Sequence, residues 1–192
     1  MSVRELVNDV TSLATPSIVL IRIPDEIQVL DAIALMLKRL VEERGHKALL
    51  ILGNRSAGNF MEGLRTCGFV IERAVRQKKL LFIDCLTRSV GGPRVEGALF
   101  VSSPSDLSEI SLLMERGFRI LEAKPNETWL MIDGLATFII FNGIRRALQF
   151  LIYTTNRLRT RRYYGVILYY GSELEKQLEN TIRQYVDRIY EV

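Results

Sequence analysis

Apolar runs and amphipathic segments alternate along the whole chain. Each run is an almost uninterrupted stretch of Leu, Ile, Val, Phe and Met, as in strands of a parallel sheet covered on both faces. The runs lie at residues 18–23, 48–52, 80–84, 128–133 and 164–169. Apolar residues at helical spacing predict helices over residues 25–44, 56–66, 107–116, 142–159 and 172–187. The alternation predicts an α/β domain with a mostly parallel central sheet and right-handed crossovers.

Local signals support several of these boundaries. Gly45 and Gly68 follow predicted helices as C-terminal stops, and Asn142 is placed to cap the long fourth helix. Ser172 and Glu175 have the spacing of a capping box. Residues 88–104 are rich in Gly, Pro and Ser and predict the loosest stretch. No repeat or linker is visible, so residues 1–192 are expected to form one domain with its core over about 17–192.

Ligands of doubly wound sheets collect beyond the carboxyl ends of the strands. Two predicted strands end in a carboxylate there, the third at Asp84 and the fourth at Asp133. Either residue could hold a metal ion through water, but a structural capping role is favoured for both. The positions to inspect at this edge of the sheet are residues 24–26, 53–57, 84–87, 133–137 and 170–172.

Composition narrows the class of protein without naming a partner. The 192-residue chain is 48% hydrophobic and carries a net charge of +4, which permits an anionic partner but does not require one. Cys67 and Cys85 have no CxxC spacing and predict free thiols in a reducing compartment. The N-terminus shows no apolar signal core, and no apolar run approaches the roughly 20 residues of a membrane span. We expect a soluble cytoplasmic protein with no membrane partner.

Three segments resemble the RecA/KaiC-type ATPase superfamily. They are the strand and turn Leu81–Thr87, the helix start at Asp106-Leu107, and the segment Trp129–Thr137, which is similar to a Walker B strand. The order and spacing of the elements fit this superfamily over about residues 17–192. The resemblance implies a RecA-like three-layer α/β/α domain of archaeal type, and it makes Asp133 the remnant of the Walker B aspartate.

The departures from this superfamily fall on its catalytic parts. A Walker A loop, GxxxxGK[ST], holds phosphate through backbone N–H groups, a Lys and a metal-binding hydroxyl. Residues 24–29 contain no Gly, Lys, Ser or Thr, and Pro24, Asp25 and Glu26 stand at the phosphate-loop position. A carboxylate at ~4 Å would oppose a phosphate charge by about 1–4 kcal/mol.

Two further catalytic positions also differ. The segment after the second strand, Gly53–Ser56, lacks the glutamate that activates water in the superfamily, and Gly134 replaces the serine after the Walker B aspartate. The chain is therefore expected not to be an enzyme, with no catalytic residue, no cofactor and no metal.

The most basic segment of the chain has two interpretations. Arg157, Arg159, Arg161 and Arg162 are followed by Tyr163, a pattern suited to gripping phosphates and stacking on bases. The alternative is a helix C-terminus whose cations complement the helix dipole. In RecA-like proteins this region also lies near subunit contacts, so a protein partner competes with nucleic acid.

The lone histidine has a simpler interpretation. His46 lies in a predicted turn with no acidic or thiol cluster beside it in sequence, and we expect it to be a solvated residue rather than a ligand or a base.

Three functional hypotheses follow. The favoured one is a non-catalytic RecA/KaiC-like pseudo-ATPase acting as a regulatory or assembly subunit, self-associating or pairing with a paralogous RecA-like subunit. The first alternative is a nucleic-acid-binding accessory factor resembling a recombinase paralogue, which would use the arginine segment and Arg55. The second is a divergent nucleotide-binding ATPase with a substitute phosphate loop at Gly53–Gly58.

Overall fold

The computed structural model describes residues 1–23, 26–170 and 176–192, and the side chains of these residues other than 26, 27, 170, 176 and 177. In this part of the chain seven strands form one sheet, in the order β4-β3-β2-β5-β6-β1-β7. All pairings are parallel. The strands are β1 (Ile18–Ile23), β2 (Lys47–Leu52), β3 (Leu80–Asp84), β4 (Ala98–Phe100), β5 (Thr128–Asp133), β6 (Tyr164–Tyr170) and β7 (Arg188–Glu191). The predicted α/β class is confirmed.

Five of these strands are the predicted ones, and the two at the edges of the sheet are not. β4 lies inside the stretch that was predicted to be loose, where only three residues pair with β3. β7 pairs with β1 at residues that directly follow the predicted last helix.

The helices pack on both faces of the sheet. They are α1 (Val3–Thr11), α2 (Glu26–Leu37, continued by π-helical turns over Lys38–Glu43), α3 (Ala57–Thr66), α4 (Ile71–Arg76), α5 (Thr87–Val90), α6 (Leu107–Ile120), α7 (Leu135–Arg161) and α8 (Lys176–Arg183). The sequence did not predict α1, α4 or α5. The proposed capping box at Ser172 and Glu175 begins in the segment 171–175, outside the described residues.

Alternate residues of each strand enter two separate cores. Val19 and Ile21 of β1 join the cluster that buries α1 to α4. Ile18 and Leu20 join the cluster that buries α6, α7 and α8. This alternation, with side chains pointing to opposite faces of a strand, produces a three-layer α/β/α arrangement.

α1 closes the first core and has a complete N-terminal cap. The Ser2 hydroxyl accepts from the Glu5 backbone N–H, and the Glu5 carboxylate accepts from the Ser2 N–H at 2.8 Å. These hydrogen bonds lower the pKa of Glu5. Leu6, Val7 and Val10 are fully buried, so packed structure extends to the N-terminal side of the expected core at residue 17.

α7 is the longest helix and contains a break. It begins at Leu135, so the prediction that Asn142 caps it is wrong. The Asn142 side-chain amide instead donates to the carbonyls of Phe138 and Pro104. The next residue, Gly143, has φ 76° and ψ 158°, a conformation that is essentially restricted to glycine. The backbone therefore turns sharply there, and the helix resumes on the other side.

By length and composition alone, α7 could cross a membrane. Its face toward the sheet packs into the second core, where Ala147, Leu151 and Leu158 are buried. Only 28% of its most apolar 18-residue window is buried, and the rest of that window is half-buried or exposed.

Candidate functional site at the carboxyl ends of the strands

The loops after β2 and β5 are joined at the carboxyl edge of the sheet. Leu52 pairs with Asp133 in register, and the Gly53 N–H donates to the Asp133 carbonyl at 2.7 Å. β6 separates β5 from β1. β1 is therefore two strand spacings from Asp133, or about 10 Å at Ile21, which lies in register with Asp133 through Leu168 of β6.

The phosphate-loop position after β1 is only partly described. Pro24 and Asp25 lie outside the described residues, and Glu26 opens α2. The proposed opposition of these carboxylates to phosphate remains a prediction.

Asp133 forms an ion pair with Arg55. The side chain of Asp133 is 1% exposed, and the Arg55 Nε lies 3.8 Å from its Oδ2. Arg55 comes from the loop after β2, is 16% exposed, and places its guanidinium 5.8 Å from the centre of the Phe60 ring. Arg55 is thus held inside the site by Asp133 and Phe60, and its suggested use as a nucleic-acid contact stays a prediction.

Gly134 allows the two loops to approach. Its φ of +104° favours glycine, and a Cβ built there would lie 2.6 Å from the Asn54 Oδ1. That same oxygen accepts a short hydrogen bond from the Thr137 hydroxyl. The serine that the superfamily carries at this position could not fit without moving the β2–α3 loop.

Asp84 binds the N-terminus of α3. Its carboxylate accepts from the N–H groups of Ala57, Leu86 and Thr87 at 2.6 to 2.8 Å, and from the Thr87 hydroxyl at 2.6 Å. Ser56 caps the same helix by accepting from the Asn59 N–H. A carboxylate therefore already occupies the place where a phosphate would bind at a helix N-terminus.

The arginine segment lies near the amino ends of the strands, on the opposite side from Asp133, because α7 runs back from the carboxyl end of β5 to the start of β6. Arg157 and Arg161 both contact the Glu115 carboxylate at 2.6 Å, and Arg159 contacts Asp187 at 2.9 Å. Arg162 ends α7 with a left-handed φ of 58°.

Tyr163, which follows these arginines, is buried rather than displayed. Its hydroxyl donates to the Ala123 carbonyl, and its ring lies 5.1 Å from that of Phe118. Burial raises the pKa of Tyr163. The structure therefore does not bring Tyr163 to the surface as a stacking platform.

His46 is a bound acceptor, not the solvated residue that was expected. Its Nδ1 accepts a hydrogen bond from the Trp129 indole N–H at 3.1 Å, and Trp129 stacks on Tyr164 with ring centres 4.1 Å apart. Burial, and then the nearby charge of Arg44, lower the pKa of His46. No group of three His, Cys, Asp or Glu residues suited to a metal ion occurs among the described residues.

The two thiols are free, as predicted. The Cys67 thiol is exposed and donates to the Asp31 carboxylate at 3.2 Å. Cys85 is buried, and burial raises its pKa strongly.

Comparison with known proteins supports the fold and gives no evidence on activity or partners. No family model and no curated protein matches the chain. A KaiC-like protein from the hyperthermophilic archaeon Pyrococcus horikoshii is similar in structure, with a TM-score of 0.61 and 12% sequence identity. The match covers 82% of this chain and 62%, less than two thirds, of that protein.

An uncharacterised P. horikoshii protein, solved in complex with an unknown peptide, matches with a TM-score of 0.71 and 12% identity. That match covers 100% of this chain and 84% of that protein. The chain therefore has an α/β fold similar to that of a KaiC-like protein.

Proposed function

We propose that this chain is a non-catalytic RecA/KaiC-like pseudo-ATPase that acts as a regulatory or assembly subunit. The observation that carries the proposal is the ion pair between Arg55 and Asp133. A metal-binding carboxylate must face a divalent ion, directly or through water. Here the guanidinium supplies the positive charge next to Asp133, and an added cation would be repelled by Arg55.

The other parts of a nucleotide site do not fit Mg-ATP either. Residues 24–29 offer no phosphate-binding Gly or Lys and no metal-binding hydroxyl. The only Gly-containing substitute, Gly53–Gly58, leads into the helix N-terminus that Asp84 already occupies. A phosphate there would compete with a fixed negative charge, which argues against the divergent ATPase.

The proposed role is assembly with a second copy or a paralogous RecA-like subunit. Exposed apolar side chains on α7 support it, because a stable interface needs such surface and buries at least about 1,000 Å² in total. They are Ile140, Phe141, Ile144 and Tyr153. The peptide in the P. horikoshii neighbour gives a precedent for partner binding by a protein of similar fold.

The nucleic-acid alternative has less support at the arginine segment. Glu115 and Asp187 neutralise part of its charge, so fewer cations are available to release counterions from phosphates. Arg145 and Arg146 are exposed and could still contact an anionic partner.

Titration with Mg-ATP and Mg-ADP tests the proposal. Thermal shift and calorimetry to millimolar nucleotide should show no binding, with an intact KaiC-like ATPase as the positive control. A dissociation constant near 10 μM, about −6.8 kcal/mol, would overturn the pseudo-ATPase proposal. Light scattering at micromolar concentration, together with recovery of native partners, tests the assembly role. A strictly monomeric mass with no partner would contradict it.

A further inference from the structure

An open groove of about 840 Å³ runs between α6 and α7. Phe150 is almost fully buried and forms part of its apolar floor. Leu112 on α6 and Tyr153 on α7 are 70% and 43% exposed at the groove. These large side chains contribute little to the core, although they are costly to leave in water.

The charges in this groove are mostly committed to the fold. Asp106 caps α6 by accepting from the Glu109 N–H at 2.8 Å. Glu115 is held by two arginines of α7. Arg146 is the exception: it lines the groove and has no hydrogen bond or ion pair within the described residues. With the two arginines that hold Glu115 counted, three arginines face the two carboxylates Asp106 and Glu115, so the net charge at the groove is positive.

The shape and chemistry of the groove fit a helix better than a small molecule. Two neighbouring helices supply the walls, and an amphipathic helix binds such a groove through apolar anchors spaced three or four residues apart. Nucleic acid would require a row of cations free of carboxylates, whereas Arg157 and Arg161 are paired with Glu115 here and leave Arg146 as the unpaired cation of the groove among the described residues. A flat bilayer surface would not reach Phe150, which is almost fully buried in the floor of the groove.

We propose that the groove between α6 and α7 binds an acidic amphipathic peptide segment of a partner protein. The partner's apolar anchors pack on Leu112, Phe150 and Tyr153, and one of its carboxylates pairs with Arg146. This inference rests on the proposed function, since it names the surface and the partner chemistry by which a non-catalytic subunit would be recruited.

Selection from a displayed library of helical peptides, each about 16 residues long, tests this docking surface. We expect the enriched peptides to combine apolar residues at helical spacing with Asp or Glu. Their affinity, measured by fluorescence anisotropy, should fall about tenfold in Arg146→Glu and about fivefold in Leu112→Ser. Two matched controls lie outside the groove, Arg145→Glu and Val90→Ser, and each should change the affinity less than about twofold.

Several outcomes would overturn the inference. They are selection of no peptide with a dissociation constant below about 100 μM, enrichment of basic peptides, and an equal loss in Arg145→Glu and Arg146→Glu. Arg146-dependent binding of oligo-dT or of phosphatidylglycerol vesicles would assign the surface to a different class of partner. Arg146-dependent self-association would assign it to a second copy.

The same protein preparations are titrated with Mg-ATP, which separates the two proposals. Nucleotide binding would refute the proposed function whatever the peptides do. Failure of the peptides alone would refute only the docking surface.

Discussion

Removing the Arg55 charge should destabilise the protein through Asp133. At 3.8 Å and an effective dielectric constant of 20, the attraction between the two charges is about 4 kcal/mol before desolvation is subtracted. Leaving a carboxylate buried without this partner costs about 3 kcal/mol. Methionine retains the apolar stem of Arg55 near Phe60, so Arg55→Met isolates the charge. We expect its free energy of unfolding to fall by about 3 kcal/mol.

The measurement is a double-mutant cycle in urea, followed by circular dichroism. In an Asp133→Asn background, Arg55→Met should cost only about 1 kcal/mol, which gives a coupling energy of about 2 kcal/mol. For a chain of this length, 3 kcal/mol lowers Tm by about 6–12 °C. The control is Arg65→Met, whose arginine is 44% exposed and pairs with Glu62 and Glu72. Because this pair is exposed to solvent, Arg65→Met should lower the free energy of unfolding far less than Arg55→Met does.

The Arg55→Met variant also tests whether the guanidinium stands in for a metal ion. If it does, 10 mM MgCl₂, which is about 10 times an assumed millimolar Kd, should raise the Tm of the variant but not that of the wild type. A coupling energy of zero would refute the ion-pair argument. So would a loss of less than about 0.5 kcal/mol in Arg55→Met, since that is the usual range for a surface substitution.

Three other substitutions test separate parts of the structure. Gly134→Ser should cost about 2–3 kcal/mol in urea unfolding, because it combines a positive φ with a clash against Asn54, and a neutral result would contradict the described loop. His46 has a lowered pKa in the folded protein, so stability should be complete above about pH 6.5 and fall as the unfolded chain takes up the proton below it. Burial and the charge of Arg44 cause this lowered pKa, so the fall between pH 7 and 5.5 should be smaller in His46→Gln; an equal fall would show that the titration of His46 does not set it. Glu115→Gln releases Arg157 and Arg161 from their ion pairs. If these arginines contact nucleic acid, the plot of log binding constant for oligo-dT against log salt concentration should become steeper by about 0.7 for each new phosphate contact. An unchanged slope would place these arginines away from nucleic acid.

The inner strands were predictable because burial on both faces forces continuous apolar sequence. The edge strands were not, because they satisfy weaker constraints. β4 has three half-buried residues in a Gly- and Pro-rich stretch. β7 spans four residues, of which only Tyr190 is buried. The start of α7 was misplaced because Leu135 has no side-chain cap before it, whereas Asn142 looked like one.

The candidate site was predictable in position but not in chemistry. The end of β5 marked Asp133 because it is the last residue of an apolar run. Arg55 belongs to the loop after β2, and only the adjacency of β2 and β5 in the sheet brings it to Asp133. These strands are not consecutive in the chain, so sequence periodicity carried no sign of the pair. An arginine in a loop that lacked the expected glutamate was the only available signal.

The position of β1 has a consequence for how the protein is made. β1 is the earliest strand along the chain, yet both of its neighbours, β6 and β7, come from the far end. The Ile18 N–H donates to the Asp187 carboxylate across 169 residues of sequence. At ordinary translation speeds of 5–20 residues per second, β1 would wait about 10–30 s with both of its edges unpaired. The nascent chain must therefore keep an apolar strand shielded while residues 24–163 are synthesised, and the sheet can close around β1 only when β6 and β7 have emerged.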